Sequence, residues 1–65
     1  MQITINQMTL DVANDATLAS VIQQLNFVPP FAAAINLQFV PNTRYAETKL
    51  YDNDKIDIIA PVTGG

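Results

Sequence analysis

The sequence predicts a two-layer α+β domain, one short helix lying across one face of a sheet whose other face stays open. Two changes of hydrophobic period predict it. Apolar and polar residues alternate at the start and again near the end of the chain, and between them one stretch repeats at the helical period. The resulting order is strand, strand, helix, strand, short strand, strand. With 65 residues there is room for one thin core, since a chain this size buries only about 60% of the surface its unfolded form exposes.

In MQITIN, Met1, Ile3 and Ile5 alternate with Gln2, Thr4 and Asn6; beyond Gln7, Met8, Leu10 and Val12 alternate with Thr9 and Asp11. Two such runs with so short a gap predict a hairpin turning near Asn6 and Gln7. The period then changes. Leu18, Val21, Ile22 and Leu25 fall at i, i+3, i+4 and i+7, on one helical face, with Ala19, Ser20, Gln23 and Gln24 turned from it. Thr17 is placed to cap the helix through its hydroxyl, and Asp15 stands close enough to compete. Pro29 and Pro30 require the helix to have ended. A helix this short draws its stability from docking its apolar face.

FAAAIN is expected to be a strand covered on both sides, or one crossed closely by the helix over small side chains. QFV is a short strand, and Pro41 after it stops ladder pairing or marks an edge. The stretch NTRYAETKLYDND is polar and irregular, with Leu50 and Tyr51 as its expected anchors. KIDIIA is the last strand, placing Ile56, Ile58 and Ala60 on one face and Asp57 and Ile59 on the other, so that Ile59 points to the open side. In the turn before it, Asn53 or Asp54 is expected to take a left-handed backbone. No repeat, low-complexity tract or linker interrupts the chain.

Composition narrows the chemistry. At 49% hydrophobic and 14% charged residues the chain is far from the balance that keeps a sequence disordered. Without histidine or cysteine there is no Ser-His-Asp or Cys-His arrangement, no disulfide, and none of the usual zinc ligands but carboxylates. Asp52, Asp54 and Asp57 suggest a calcium loop, but Asp57 stands where that loop needs glycine and Thr63 where it needs glutamate. Net charge is −3 and the basic residues Arg44, Lys49 and Lys55 are never adjacent, so neither nucleic acid nor an anionic membrane is an expected partner. A protein with a basic surface is. No apolar run approaches the ~20 residues that span a bilayer, and MQITINQ has no signal-like character, which makes the cytoplasm the expected compartment.

The chain's only glycines, Gly64 and Gly65, follow Pro61, Val62 and Thr63 at its end. No helix follows them, so they are not a phosphate cradle. Either they are a frayed terminus or the end itself is the working part. Taken together, the MQITIN hairpin, TLASVIQQL, AAAIN, QFVP, LYDNDKIDIIAPV and the terminal GG resemble the ThiS-type sulfur carriers of thiamin biosynthesis, a ubiquitin-like β-grasp family, over nearly the whole chain.

That resemblance implies a β-grasp with a mixed sheet and one main helix on one face, residues 1–60 forming the domain and residues 61–65 a flexible tail. It also implies a carrier rather than an enzyme. Gly65 would be adenylated and converted to a thiocarboxylate that donates sulfur for thiazole formation, while Gly64, Thr63, Val62 and Ile59 contact partners. The implied partners are a ThiF-type adenylating enzyme using ATP and magnesium, a persulfide sulfur donor, and thiazole synthase; the chain itself binds no cofactor. The small subunit of molybdopterin synthase and a ubiquitin-like protein modifier use the same terminus and remain alternatives. Two departures from the family's pattern are visible: Asn53-Asp54 stands where Gly-Asp is common, and Leu37 follows Asn36 where glycine is common.

Overall fold

The computed structural model describes residues 1–59. Alternation builds the first hairpin: β1 (Gln2–Ile5) buries Ile3 and Ile5 and pairs antiparallel with β2 (Met8–Asp11), in a register running from Gln2↔Asp11 to Ile5↔Met8. Helix α1 (Leu18–Gln24) follows, burying Leu18, Val21 and Ile22. A second hairpin, β3 (Ala32–Ile35) and β4 (Gln38–Val40), and a closing strand β5 (Lys55–Ile59) complete the sheet. The strand order is β2-β1-β5-β3-β4. β5 runs parallel to β1 and antiparallel to β3, so the sheet is mixed and its central strand is the last in sequence among the described residues.

Local chemistry explains where α1 begins and ends. Thr17 caps it, with Asp15 taking no part: the Ser20 amide donates to Thr17 Oγ1 at 3.2 Å and the Thr17 amide donates to Ser20 Oγ at 3.0 Å, a reciprocal box. At the other end Asn26 takes a left-handed conformation, φ 58°, and the Asn26 and Phe27 amides donate to the carbonyls of Gln23 and Ile22. That pair of bonds is the Schellman arrangement, with asparagine where glycine is commonest. Leu25, expected on the buried face, lies at this terminus and is only half-buried.

The stretch expected to be irregular after Pro41 contains a 3₁₀ helix, Asn42–Glu47. Its one half-buried residue, Tyr45, stacks on Phe31 with ring centroids 5.9 Å apart. Leu50 anchors the segment as expected and is fully buried, whereas Tyr51 projects outward, 66% exposed, and anchors nothing. Of the two expectations for β3, cover on both sides does not hold, and one face packed over small side chains does. Ala33 is buried in one core with Leu18, Val21 and Ile22 of α1, but Ala32 and Ala34 on the opposite face are only half-buried.

Both hairpins turn through two residues of positive φ, Asn6 (48°) with Gln7 (70°) and Asn36 (51°) with Leu37 (70°). Such turns match the twist of the strands they join, which is why they serve two-residue hairpins. Leucine is costly there, since a left-handed residue carrying a Cβ loses about 1–2 kcal/mol. Leu37 accepts that cost with its side chain 91% exposed.

Two outcomes test this packing. Leu18→Ala should destabilise by about 2–5 kcal/mol and Leu25→Ala by clearly less; denaturant melts giving the reverse ranking would show the helix face to be wrongly assigned. Leu37→Gly should stabilise by about 0.5–1 kcal/mol, the relief of the left-handed cost less glycine's extra unfolded entropy, and raise the thermal midpoint by about 2–8 °C. A lower midpoint would mean that the Leu37 side chain contributes contacts its exposure does not suggest.

Candidate functional site

The open face of the sheet follows from strand parity. On β5, Ile56 and Ile58 point to the core, so Lys55, Asp57 and Ile59 point the other way. Ile59 is 61% exposed, on the side expected from the sequence. Its neighbours come from β3 and β4: Ala32 lies opposite Ile59, Ala34 lies opposite both Asp57 and Phe39, and Phe39 is 69% exposed. Ile59, the two alanines and Phe39 therefore form a shallow apolar strip, with Asp57 and Lys55 along its border. The sequence reading missed Phe39, because a three-residue strand is too short to show its parity; pairing with β3 supplies it.

Of the residues expected to act, Ile59 alone falls in the described part of the chain. Val62, Thr63, Gly64 and Gly65 lie outside it, as do Ala60 and the boundary between domain and tail at residues 60 and 61. What the structure fixes is the strand that leads to them. β5 continues as far as Ile59 in register with Ala32, so the described chain ends on the central strand of the sheet, at the apolar strip.

Asparagine side chains hold that strand on both sides. On the β3 side, the Asn36 amide donates to the Lys55 carbonyl at 2.7 Å, and the Lys55 amide returns a bond to Asn36 Oδ1 at 3.0 Å, where a ladder would use the backbone carbonyl. On the β1 side, the Asn6 amide donates to the Ile56 carbonyl at 2.9 Å, and the Ile58 amide donates to Asn6 Oδ1 at 2.9 Å. Each hairpin turns away from β5 at its asparagine. The side-chain amide then stands in for the carbonyl that the turn has carried off.

Asp54 ties the lower end of β5 to this network. It is buried, yet each carboxylate oxygen has a donor: Asn36 Nδ2 at 3.0 Å to Oδ1 and the Tyr51 amide at 2.8 Å to Oδ2. Asn53 beside it has φ 69°, the left-handed residue expected in this turn. Asp52 accepts from the Gln2 amide at 2.8 Å. These carboxylates are committed to backbone and amide donors, and no group of three or more metal-ligating side chains occurs among the described residues. Nor is any described helix long and apolar enough to cross a membrane.

Comparison with known proteins gives two findings. The sequence model of the ThiS family matches residues 1–65. A solved structure, thiamine biosynthesis protein (ThiS) from Geobacter metallireducens, superposes with a TM-score of 0.84 at 17% identity, covering 100% of both chains. Among the described residues, the mixed five-stranded sheet with one α-helix is thus the β-grasp fold. No curated protein sequence matches significantly.

Asp54→Ala should cost about 1–3 kcal/mol, since it strips the part-buried Tyr51 amide and Asn36 side-chain amide of their acceptor. Unchanged stability in urea melts would mean that water replaces the carboxylate at no cost.

Proposed function

The chain belongs to the ThiS family, and on that premise we propose that it carries sulfur for thiazole formation in thiamin biosynthesis, held on the C-terminal carboxyl of Gly65. The observation that carries this reading is a family match that runs through to Gly65 itself. Beside it stands a strand that leads to that terminus from the centre of the sheet, next to an exposed apolar strip.

The chemistry follows from what a carboxylate cannot do unaided. Its charge repels nucleophiles and oxide does not leave, so the Gly65 carboxylate first attacks the α-phosphate of ATP, held with magnesium by a ThiF-type adenylating partner, and pyrophosphate departs. The terminal sulfur of a persulfide donor then attacks the acyl carbon and AMP leaves. A thiol reduces the resulting acyl disulfide, freeing the thiocarboxylate and forming a disulfide with the donor sulfur. Thiazole synthase is the acceptor. In this sequence of steps the protein is substrate, and what it contributes is reach and recognition.

Reach is set by covalent geometry: Pro61 to Gly65 spans at most roughly 17 Å when extended. Without a Cβ, Gly64 and Gly65 enter a channel too narrow for other residues. Ordering that segment costs roughly 1–2 kcal/mol per residue, which docking of the folded body must offset. Ile59, with Phe39 across the alanines of β3, supplies the apolar contact, and Val62 and Thr63 extend it.

ATP-dependent pyrophosphate exchange with a ThiF-type enzyme tests the reading. Deleting Gly65, or adding one residue beyond it, should abolish exchange without moving the thermal midpoint, because misplacement on the ångström scale costs about a hundredfold or more. Undiminished exchange from either chain would refute the carrier function. Ile59→Asp should raise KM for the carrier about tenfold, equivalent to about 1.4 kcal/mol, with little change in kcat. An unchanged KM would remove Ile59 from the docking surface.

A further inference from the structure

We propose that Asn6 is a positioning residue for the C-terminal segment: by replacing a missing strand carbonyl it holds Ile58 in the sheet and fixes the bearing from which residues 60–65 depart. Its kinetic consequence rests on the carrier reading above; its structural one does not.

The reasoning starts from which way each amide of β5 points. Lys55 exchanges bonds with Asn36 on the β3 side, and alternation along a strand then directs the amides of Asp57 and Ile59 to β3 and those of Ile56 and Ile58 to β1. On the β3 side the register reaches Ala32↔Ile59. On the β1 side it reaches only Ile5↔Ile56, because the chain turns at Asn6. A parallel ladder would carry on with Asn6 giving its amide to Ile56 and its carbonyl to Ile58. The first of those bonds is present at 2.9 Å; the second is made by Asn6 Oδ1, also at 2.9 Å.

Few residue types can do this. The position has φ 48°, which asparagine, aspartate and glycine tolerate best. It also needs an acceptor one short side chain away from the backbone, which excludes glycine. Without that acceptor the Ile58 amide, part-buried, loses its partner on the β1 side, and the last residues of β5 are held on one side only. Both functions assigned to this end of β5 depend on its bearing: Ile59 must face the open side, and Gly65 must arrive at a fixed point seven residues beyond Ile58.

Asn6→Gly and Asn6→Asp separate turn from acceptor. Glycine suits the turn but has no acceptor; aspartate keeps an oxygen in place. Two readouts apply to each variant and the parent, amide hydrogen exchange at Ile58 and pyrophosphate exchange resolved into kcat and KM for the carrier. Asn6→Gly should remain folded, with Ile58 exchanging at least about tenfold faster while Ile56 keeps its protection. Its kcat should fall about three- to tenfold with KM little changed. Asn6→Asp should restore both.

The proposal is overturned if Ile58 in Asn6→Gly is as protected as in the parent, if Asn6→Gly keeps the parent's kcat, or if folded Asn6→Asp fails alongside it. Should the parent support no pyrophosphate exchange at all, the carrier reading fails, and Ile58 protection still decides whether Asn6 holds the strand. An Ile58 amide that exchanges freely in the parent overturns the proposal with no variant needed.

Discussion

The parallel pairing of β1 with β5 is the constraint on which the structure depends. It joins residues near opposite ends of the chain, Thr4 with Lys55 and Ile5 with Ile56, and so closes a loop of about fifty residues at an entropic cost that grows only with the logarithm of its length. Once closed, it puts the last strand at the centre of the sheet. Ile56 and Ile58 then join Ile3, Ile5 and Ala33 against Leu18 and Val21 in one core. The described chain therefore ends, at Ile59, in the middle of the sheet and on its open face.

Centrality creates a polar problem that three short side chains answer. A central strand presents backbone groups on both sides, yet each flanking strand turns away after four residues. Asn6 and Asn36 extend the ladders past those turns, and Asp54 receives the remaining donors at the strand's entry. No buried side-chain nitrogen or oxygen lacks a partner among the described residues. The amide orientation of Asn36 is determined by its surroundings, since Nδ2 meets a carboxylate and Oδ1 meets an N–H. In a core as thin as this one, each unmet bond would be a large fraction of the total stability.

Most local features of the fold were legible in the periodicity of the sequence, and the pairings between distant segments were not. Alternation located the first hairpin, the helical period located Leu18, Val21 and Ile22, and the hydroxyl of Thr17 marked the helix start, all decided by residues within a few positions of one another. The 3₁₀ helix at Asn42–Glu47 was missed because it is polar and buries no residue completely. Tyr51 was misjudged because an aromatic beside Leu50 looks like a second anchor, when the turn into β5 aims it outward. Ile59 could be placed by counting along its own strand. Phe39 needed its pairing with Ala34, and the work done by Asn6 needed Ile58, 52 positions away. The glycines at the chain end belonged to a resemblance that ran over nearly the whole chain, and it was that resemblance, not periodicity, that implied the mixed β-grasp sheet.

Sulfur on the chain end can be read directly by weighing the intact protein. Purified from its own cells grown without thiamin, the chain should include a population heavier than the unmodified form by the difference between a sulfur and an oxygen atom. Fragmentation should confine that difference to Gly65. A single population at the unmodified mass, from cells in which the activating enzyme and sulfur donor are shown to be present and competent, would contradict a carrier function.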